Sequence, residues 1–427
     1  MGASSLILVA YQCGPGMGSV SQLGWEWYTR LCGEHRVALV THIRNREALE
    51  AVGAPLPGSE VRYIDTEWFA GPLYRTAKHI FPRSEHSVFL VSSLDYFAFD
   101  IAAYRLLRRD LRAGRLGGDL IHRVTPVTTA APTLLGRLGL PLVLGPLNSG
   151  LSDPRGFGRI MRAESTWLIR ARGITRLLDG LIGSTRRAQR ILVASKATLA
   201  SVGARHRAKS HKMLENGVDL TRFQATPWPD PPIGRPLRVL FVGRLVPVKG
   251  VDLLLKAIAQ VKNAGQSIRL DIVGDGPMRW NWHALAVRLN LADQVCFHGA
   301  LPQNKVAQQM SQSHLFCLPS VRESGGAVLL EAMATARPVI ALDFGGPREI
   351  VDDEVGALVP MTDPAQVIAD LATTLLDACA NPASWRQRGL NGRARVEKQY
   401  SWPAKIAAAG ALYCEVLEQR SPQCSTA

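Results

Sequence analysis

The chain has 427 residues and a mass of 46.5 kDa, more than one ordinary core organises, and its 47% hydrophobic and 20% charged residues exclude a disordered polymer. Seven scattered cysteines (13, 32, 296, 317, 379, 414 and 424), odd in number, form no Cys-x-x-Cys pair and no metal-like spacing, which suggests a reducing cytoplasm and no disulfide framework. The net charge of +15 is local: residues 101–210 hold 20 Lys and Arg against 5 Asp and Glu, an excess equal to that of the whole chain, and such a field favours anionic lipid, nucleic acid or phosphorylated substrates.

The opening run Leu6 to Ala10 follows no basic region and passes into glycines, so it reads as a buried strand rather than a secretory leader. No apolar stretch approaches the roughly 18 to 20 residues of a spanning helix. The loop that follows, Gly14-Pro-Gly16-Met-Gly18-Ser19, lacks the dinucleotide-fingerprint spacing, and no acidic residue closes the next strand, Val37 to His42. A redox Rossmann enzyme is disfavoured, whereas Gly16 and Gly18 can let backbone approach a phosphate.

Further strands are expected at Val88 to Val91, Leu120 to Arg123, Leu142 to Leu144 and Ile191 to Ser195, separated by helical patterns, as in a doubly wound parallel sheet. His122, read as a strand-end residue, is a candidate for the ligand-binding edge, although a lone histidine is also compatible with a structural role. Residues 155 to 190 interleave nine arginines with Phe157, Ile160, Met161, Trp167, Leu168 and Ile169, a pattern that suits an anionic membrane surface or a solubilising helix face. No nucleic-acid module signature accompanies these arginines.

The segment Ala225 to Pro236 carries five prolines in twelve residues and can continue neither sheet nor helix. It is expected to link an N-terminal domain, residues 1–224, to a C-terminal one, residues 237–402, with residues 403–427 crossing back as a helix. The second domain repeats the strand–helix alternation at Leu237 to Gly243, Arg269 to Gly274, Val295 to His298, Leu315 to Pro319 and Pro338 to Leu342. Two such domains are expected to face each other across a cleft, with ligands beyond the carboxyl ends of the strands.

Those loops carry the chemistry. After the first strand, Arg244 and Lys249 can converge on a diphosphate or stand as solvated loop cations. Gly274-Asp275-Gly276 can admit a flat ligand beside a carboxylate or form a plain tight turn. Glu323-Ser324-Gly325-Gly326 opens a helix that carries Glu331, and the glycine pair at its positive end offers N–H donors to an anion. About 10 Å of helix rise separates the two carboxylates, which suits two ends of one elongated ligand better than a hydrolytic pair around one bond. A capping Glu and an ordinary helix Glu remain the structural alternative. A second glycine-opened helix start follows at Asp343 to Ile350.

Together these motifs resemble the family 4 retaining glycosyltransferases of the GT-B fold: Glu323 through Glu331 is similar to that family's E-x7-E motif, Gly243-Arg244 with Lys249-Gly250 to its phosphate loop, and Gly274-Asp275-Gly276 to its base-side turn. The resemblance implies two Rossmann-like domains, a UDP- or GDP-linked sugar donor and a saccharide or lipid-linked saccharide acceptor, with no metal. Glu323 is then expected to bind donor-sugar hydroxyls with Ser324, Gly325 and Gly326, Glu331 the ribose, and Arg244 and Lys249 the departing diphosphate. His122, the Gly16–Ser19 loop and Gly145 to Gly150 are each similar to a segment of one bacterial branch, with Gly16 and Gly18 expected at the donor, although Val20-Ser21-Gln22 stands where many relatives carry Glu. Ser401-Trp402-Pro403 resembles the point where a final helix crosses back. A catalytically silent nucleotide-sugar-binding protein and, further off, a basic nucleic-acid-binding protein are the alternatives. Oligomeric state is not legible.

Overall fold

A computed structural model describes residues 4–80, 94–152, 154, 156–158, 160, 178–230 and 234–419. The expected strand Val88 to Val91 and, within the basic stretch, positions 155, 159 and 161–177 lie outside the described residues.

Seven strands form the first sheet: β1 (Ser5–Ala10), β2 (Arg36–His42), β3 (Ser59–Ile64), β4 (Leu120–Thr125), β5 (Leu142–Leu147), β6 (Arg190–Val193) and β7 (Ser210–Lys212), in the order β3-β2-β1-β4-β5-β6-β7. Six form the second: β8 (Leu237–Val242), β9 (Ile268–Val273), β10 (Val295–Gly299), β11 (Leu315–Leu318), β12 (Val339–Leu342) and β13 (Gly356–Val359), in the order β10-β9-β8-β11-β12-β13. All neighbouring strands run parallel. The central strands are buried because their runs are apolar without interruption: Leu6 to Ala10 and Leu315 to Leu318 have almost no exposed surface. In each sheet the strand order reverses once, beside β1 and β4 and beside β8 and β11, and at such a switch point the carboxyl-end loops diverge to leave a crevice.

The chain divides into two compact units, and the division differs from the one expected. The first unit's central run ends at Glu215, not at residue 224, and the second unit holds 151–164 as well as its long run from Asn216. The last helix, Trp402–Glu418, passes into the first unit at Lys405. Val218 pairs with the start of that helix by two backbone bonds, Val218 N to Tyr400 O at 3.0 Å and Trp402 N to Val218 O at 3.2 Å.

The proline-rich segment is not a free tether but part of the second unit. Arg337, 1% exposed, donates to Thr226 Oγ1 at 2.6 Å, Thr226 O, Pro227 O at 3.0 Å, Met310 O and Ser311 O, and Trp228 Nε1 donates to His314 O at 2.8 Å. No carboxylate partners that guanidinium among the described residues. With Ala336 O at 3.3 Å, six carbonyl and hydroxyl dipoles hold it, and burial lowers its pKa to about 10.

His122 is a core residue, which corrects its reading as a strand-end group. The strand continues to Thr125, so His122 lies in mid-sheet, level with Leu8 of β1 and Val143 of β5, and has no exposed surface. Its ring stands edge-on to Trp27 of helix Ser19–Cys32, with centroids 5.1 Å apart. Nε2 lies 2.7 Å from the Gly145 carbonyl, an acceptor only, so Nε2 carries the proton and Nδ1 accepts from Tyr413 Oη at 2.7 Å. Burial, aided by the Arg123 and Lys405 charges, presses the imidazole down to about 4. In the described part of the basic stretch, Phe157 is buried, Arg187 donates to Ile182 O, Arg190 meets Glu415 at 3.4 Å, and Arg186 is exposed.

Arg337→Met, which strands five backbone carbonyls, is expected to lower the stability of the second unit by about 3 kcal/mol or more, with Arg337→Lys recovering part, as read from urea midpoints. For His122 the unfolded chain binds a proton first, so its contribution is full above pH ~6.5 and drains toward pH ~4, a loss of about 3 kcal/mol over that window. His122→Gln, unable to titrate, is expected to flatten that part of the acid-unfolding profile. An unchanged slope in the variant contradicts the buried neutral imidazole.

Candidate active site

The site is built from loops at the carboxyl ends of β8, β9, β11 and β12. After β8 the chain passes Gly243 and Arg244, makes a tight turn at Pro247–Lys249, and enters helix Val251–Asn263 through Gly250. Gly250 has φ +64°, and a Cβ there would overlap the Pro319 carbonyl at the end of β11. That close approach ties the two loops of the switch point together.

It also brings two expected residues into contact. Lys249 Nζ lies 2.5 Å from Glu323 Oε2, with the side chains 21% and 15% exposed. A pair this far removed from water is screened less than a surface ion pair. The other carboxylate oxygen of Glu323 accepts from the N–H of Gly326 at 3.2 Å, and the Glu323 carbonyl accepts from Gly346 N–H at 2.9 Å. Three groups from three loops thus fix one residue.

These contacts amend the expectation of free donors at the start of helix Ala327–Ala334. Gly326 is the residue that precedes the helix, and its N–H is taken by the Glu323 carboxylate. The Gly325 N–H has no partner among the described residues, and Ser324 is exposed beside it. The second anion-ready start is not open: Pro347–Ile350 is a single turn, the Gly346 N–H is committed to Glu323, and Arg348 closes a two-pronged pair with Asp343 at 2.6 and 2.8 Å. Gly345 and Gly346 serve instead as spacers, since a Cβ on either would overlap the carbonyls of Glu323 and Ser324.

The base-side turn shows the same logic. Gly274 and Gly276, at φ +133° and +156°, lie against the carbonyls of Gly243 and Leu245, and Leu245 N donates to Asp275 O at 2.9 Å. Their missing side chains let backbone meet backbone, rather than leaving room only for a ligand. Asp275 is exposed, accepts the Gly276 N–H at 2.7 Å and meets Arg279 at 3.4 Å. Arg244 is exposed, and its guanidinium has no partner among the described residues.

Glu331 lies in the second turn of helix Ala327–Ala334. It keeps some exposure, yet protein atoms crowd its carboxyl enough that desolvation raises its pKa to about 7; the Arg222 charge pulls the other way. No hydrogen bond to that carboxyl is formed by a described residue. Arg222, which donates to Gln303 Oε1, was not anticipated from the sequence, because it stands in the segment assigned to the other domain. The site thus presents a cation and an anion already paired, an uncommitted arginine and a carboxyl poised near neutrality. Perturbed groups of this kind gather where ligands bind.

Among the described residues, Asp271, Cys296 and His298 form a group with metal-ligating atoms. They stand on β9 and β10 themselves, not in the loops beyond them, and His298 Nε2 is engaged with Asp271 at 2.7 Å.

In the first unit, Gly16 and Gly18 lie in an exposed loop with φ +73° and +103°, and a Cβ on either meets nothing. The backbone approach there is made by Gly24, whose Cβ would overlap Gln12 O. The carboxyl ends of β1 and β2 carry a network that sequence patterns did not signal, because its members come from separate elements. Tyr11 donates to Asp95 at 2.6 Å, Arg44 bonds Asp95 at 2.8 Å and Glu67 at 2.5 Å, and His42 meets Thr66 at 2.9 Å.

Residues 228–391 match the family model for glycosyl transferases, group 1. A D-inositol 3-phosphate glycosyltransferase from Segniliparus rotundus is 37% identical over 171 residues, 39% of this chain and 37% of that protein, so the chain spans well under two thirds of that relative's length. Over almost the whole chain, the fold matches sucrose-phosphate synthase from Thermosynechococcus elongatus, with TM-score 0.62, 22% identity and coverage of 97% and 100%. It matches Anabaena HepE in complex with UDP with TM-score 0.62, 17% identity and coverage of 96% and 100%. The two parallel-sheet units therefore have the α/β fold of GT-B glycosyltransferase structures, and most of the second unit is similar in sequence to the group 1 enzymes.

Proposed function

We propose that this protein is a retaining glycosyltransferase that moves a hexosyl group from a UDP- or GDP-linked donor to a saccharide or lipid-linked saccharide, without a metal. The observation that carries the reading is the Lys249–Glu323 pair at the β8/β11 switch point, eight residues before Glu331. A nucleotide sugar presents two groups that compete for that pair. Its diphosphate attracts Lys249, and its sugar hydroxyls donate to Glu323, so donor binding replaces one internal ion pair by an ion pair to the diphosphate and charge-assisted hydrogen bonds from the sugar. Arg244 joins Lys249 at the phosphates, and Gly325 and Gly326 supply the positive end of the helix.

In the transition state the bond from the anomeric carbon to the leaving oxygen lengthens, and negative charge grows on the diphosphate. Lys249, held in a partly desolvated loop, stabilises that charge more than the ground state, which is where rate is gained. The acceptor hydroxyl attacks from the side the diphosphate leaves, and a leaving phosphate oxygen takes its proton, which preserves configuration. His122 has no place in this scheme, since both of its ring nitrogens are occupied in the core. HepE having been solved with UDP supports a uridine nucleotide among the donors to test.

A UDP- or GDP-hexose is expected to raise the melting temperature, and transfer in EDTA is expected to give a product whose anomeric proton retains the donor's configuration by NMR. If no nucleotide sugar shifts the melting curve, the assignment is lost. Glu331 as a carboxylate accepts from ribose hydroxyls, so nucleotide binding releases a proton and affinity should climb as pH rises through about 7. Glu331→Gln is expected to weaken binding by about tenfold at pH 8 and to abolish the slope, by calorimetry.

A further inference from the structure

The edge of the second sheet carries a side-chain cluster that the donor chemistry does not use. β10 is the edge strand, and its Cys296 stands opposite Asp271 of β9. His298, two residues on, shares the face of Cys296, whereas Phe297 between them turns the other way, onto the His283 ring of helix Arg279–Arg288 at 5.7 Å. Strand register alone thus sets a thiol, an imidazole and a carboxylate side by side, on backbone that the sheet holds in place. Nδ1 of His298 lies 4.0 Å from Cys296 Sγ, and Nε2 lies 2.7 Å from Asp271 Oδ1. The sulfur, one ring nitrogen and a carboxylate oxygen all fall within 4.8 Å of one another. Ligand atoms around a tetrahedral zinc ion, with bonds of about 2.0–2.3 Å, lie roughly 3.3–3.6 Å apart, so side-chain rotations of about 1 Å bring the three onto one centre.

The surroundings suit an ion. The other oxygen of Asp271 faces Arg269 Nε at 3.7 Å, which orients the carboxylate from behind and leaves Oδ1 toward the imidazole. A cavity of about 160 Å³, lined in part by Gln309 and Gln312 of helix Gln303–Gln312, opens on Asp271 and His298 and gives an ion and a water ligand a way in. All three groups are half-buried. Of the two arginines at that cavity, Arg269 is paired with Asp271 and Arg238 donates to Gln312 O at 3.4 Å, while a thiolate and a carboxylate neutralise a divalent ion between them. Sulfur and imidazole nitrogen select a borderline-soft ion, zinc rather than magnesium or calcium, and three protein ligands leave a fourth position to water.

We propose that Asp271, Cys296 and His298 bind one zinc ion, which clasps the edge strand β10 to β9. As it binds, the Cys296 thiol releases its proton to water and a sulfur–metal bond forms, and the imidazole binds as the neutral ring with its proton on the nitrogen turned away from the ion. The ion lies on the strands, takes no part in transfer, and does not depend on the donor reading. Full-length protein stripped of metal with EDTA, freed of the chelator and titrated anaerobically with cobalt(II) tests the site. The wild type is expected to develop a thiolate-to-cobalt absorption band in the near ultraviolet, complete at one equivalent and bleached by one equivalent of zinc, and zinc is expected to raise its melting temperature. Cys296→Ser is expected to lose the band and the zinc-induced rise, and Asp271→Asn and His298→Gln to bind cobalt more weakly by tenfold or more. Circular dichroism melts of the metal-free variants that match metal-free wild type separate lost ligation from lost folding, and Cys296→Ala serves if the serine variant melts early. A wild type without the sulfur band, a band that survives in Cys296→Ser and Cys296→Ala, or a zinc-induced rise in melting temperature that these variants share overturns the proposal.

Discussion

Where the loops beyond the second sheet meet, there is no room for a Cβ atom. Gly250 lies against the Pro319 carbonyl, Gly345 and Gly346 against Glu323 and Ser324, and Gly274 and Gly276 against Gly243 and Leu245. Each contact joins the loop of one strand to the loop of a neighbour, so the four loops form one mat of backbone. Side chains that leave this mat are placed by it: Lys249 and Glu323 meet because Gly250 lets β8 and β11 come close. A methyl group at any of these positions must move backbone, which close packing resists.

The same constraint explains what was legible in the sequence. Glycines beside Lys249, Asp275 and Glu323 mark the right loops, but spacing cannot tell a glycine that admits a ligand from one that admits a neighbouring carbonyl. Central strands were legible because burial on both faces demands an unbroken apolar run. The three strands absent from the sequence reading, β3, β7 and β13, are all sheet edges. Edge strands are wetted on one side, as the half-buried Ser59–Tyr63 shows, and lose the apolar signature. Arg222 was out of reach for another reason: its partner Glu331 lies over a hundred positions on.

His122 shows how a polar residue misleads when a strand is drawn two residues short. Ending at Arg123, the strand puts His122 at the rim; ending at Thr125, it puts the ring under Trp27. The proline-rich segment misleads in the opposite sense. Proline composition reports what the backbone cannot do, not whether a side chain elsewhere grips it, and Arg337 does so with three hydrogen bonds, to Thr226 O, Thr226 Oγ1 and Pro227 O, from a single buried guanidinium.

The last helix has a consequence for how the molecule is made. Tyr413 completes the hydrogen-bonding of His122, 291 residues earlier, and Lys405, buried over the Trp27 ring, donates to Leu214 O. The first unit is therefore discontinuous, while most of the second is one uninterrupted run from Asn216 to Ala404. On the ribosome, the portion synthesised first is the portion finished last. Until its final helix emerges, the nascent first sheet holds an imidazole with an unmet acceptor and an uncovered indole face, so it depends on its own far end to become native.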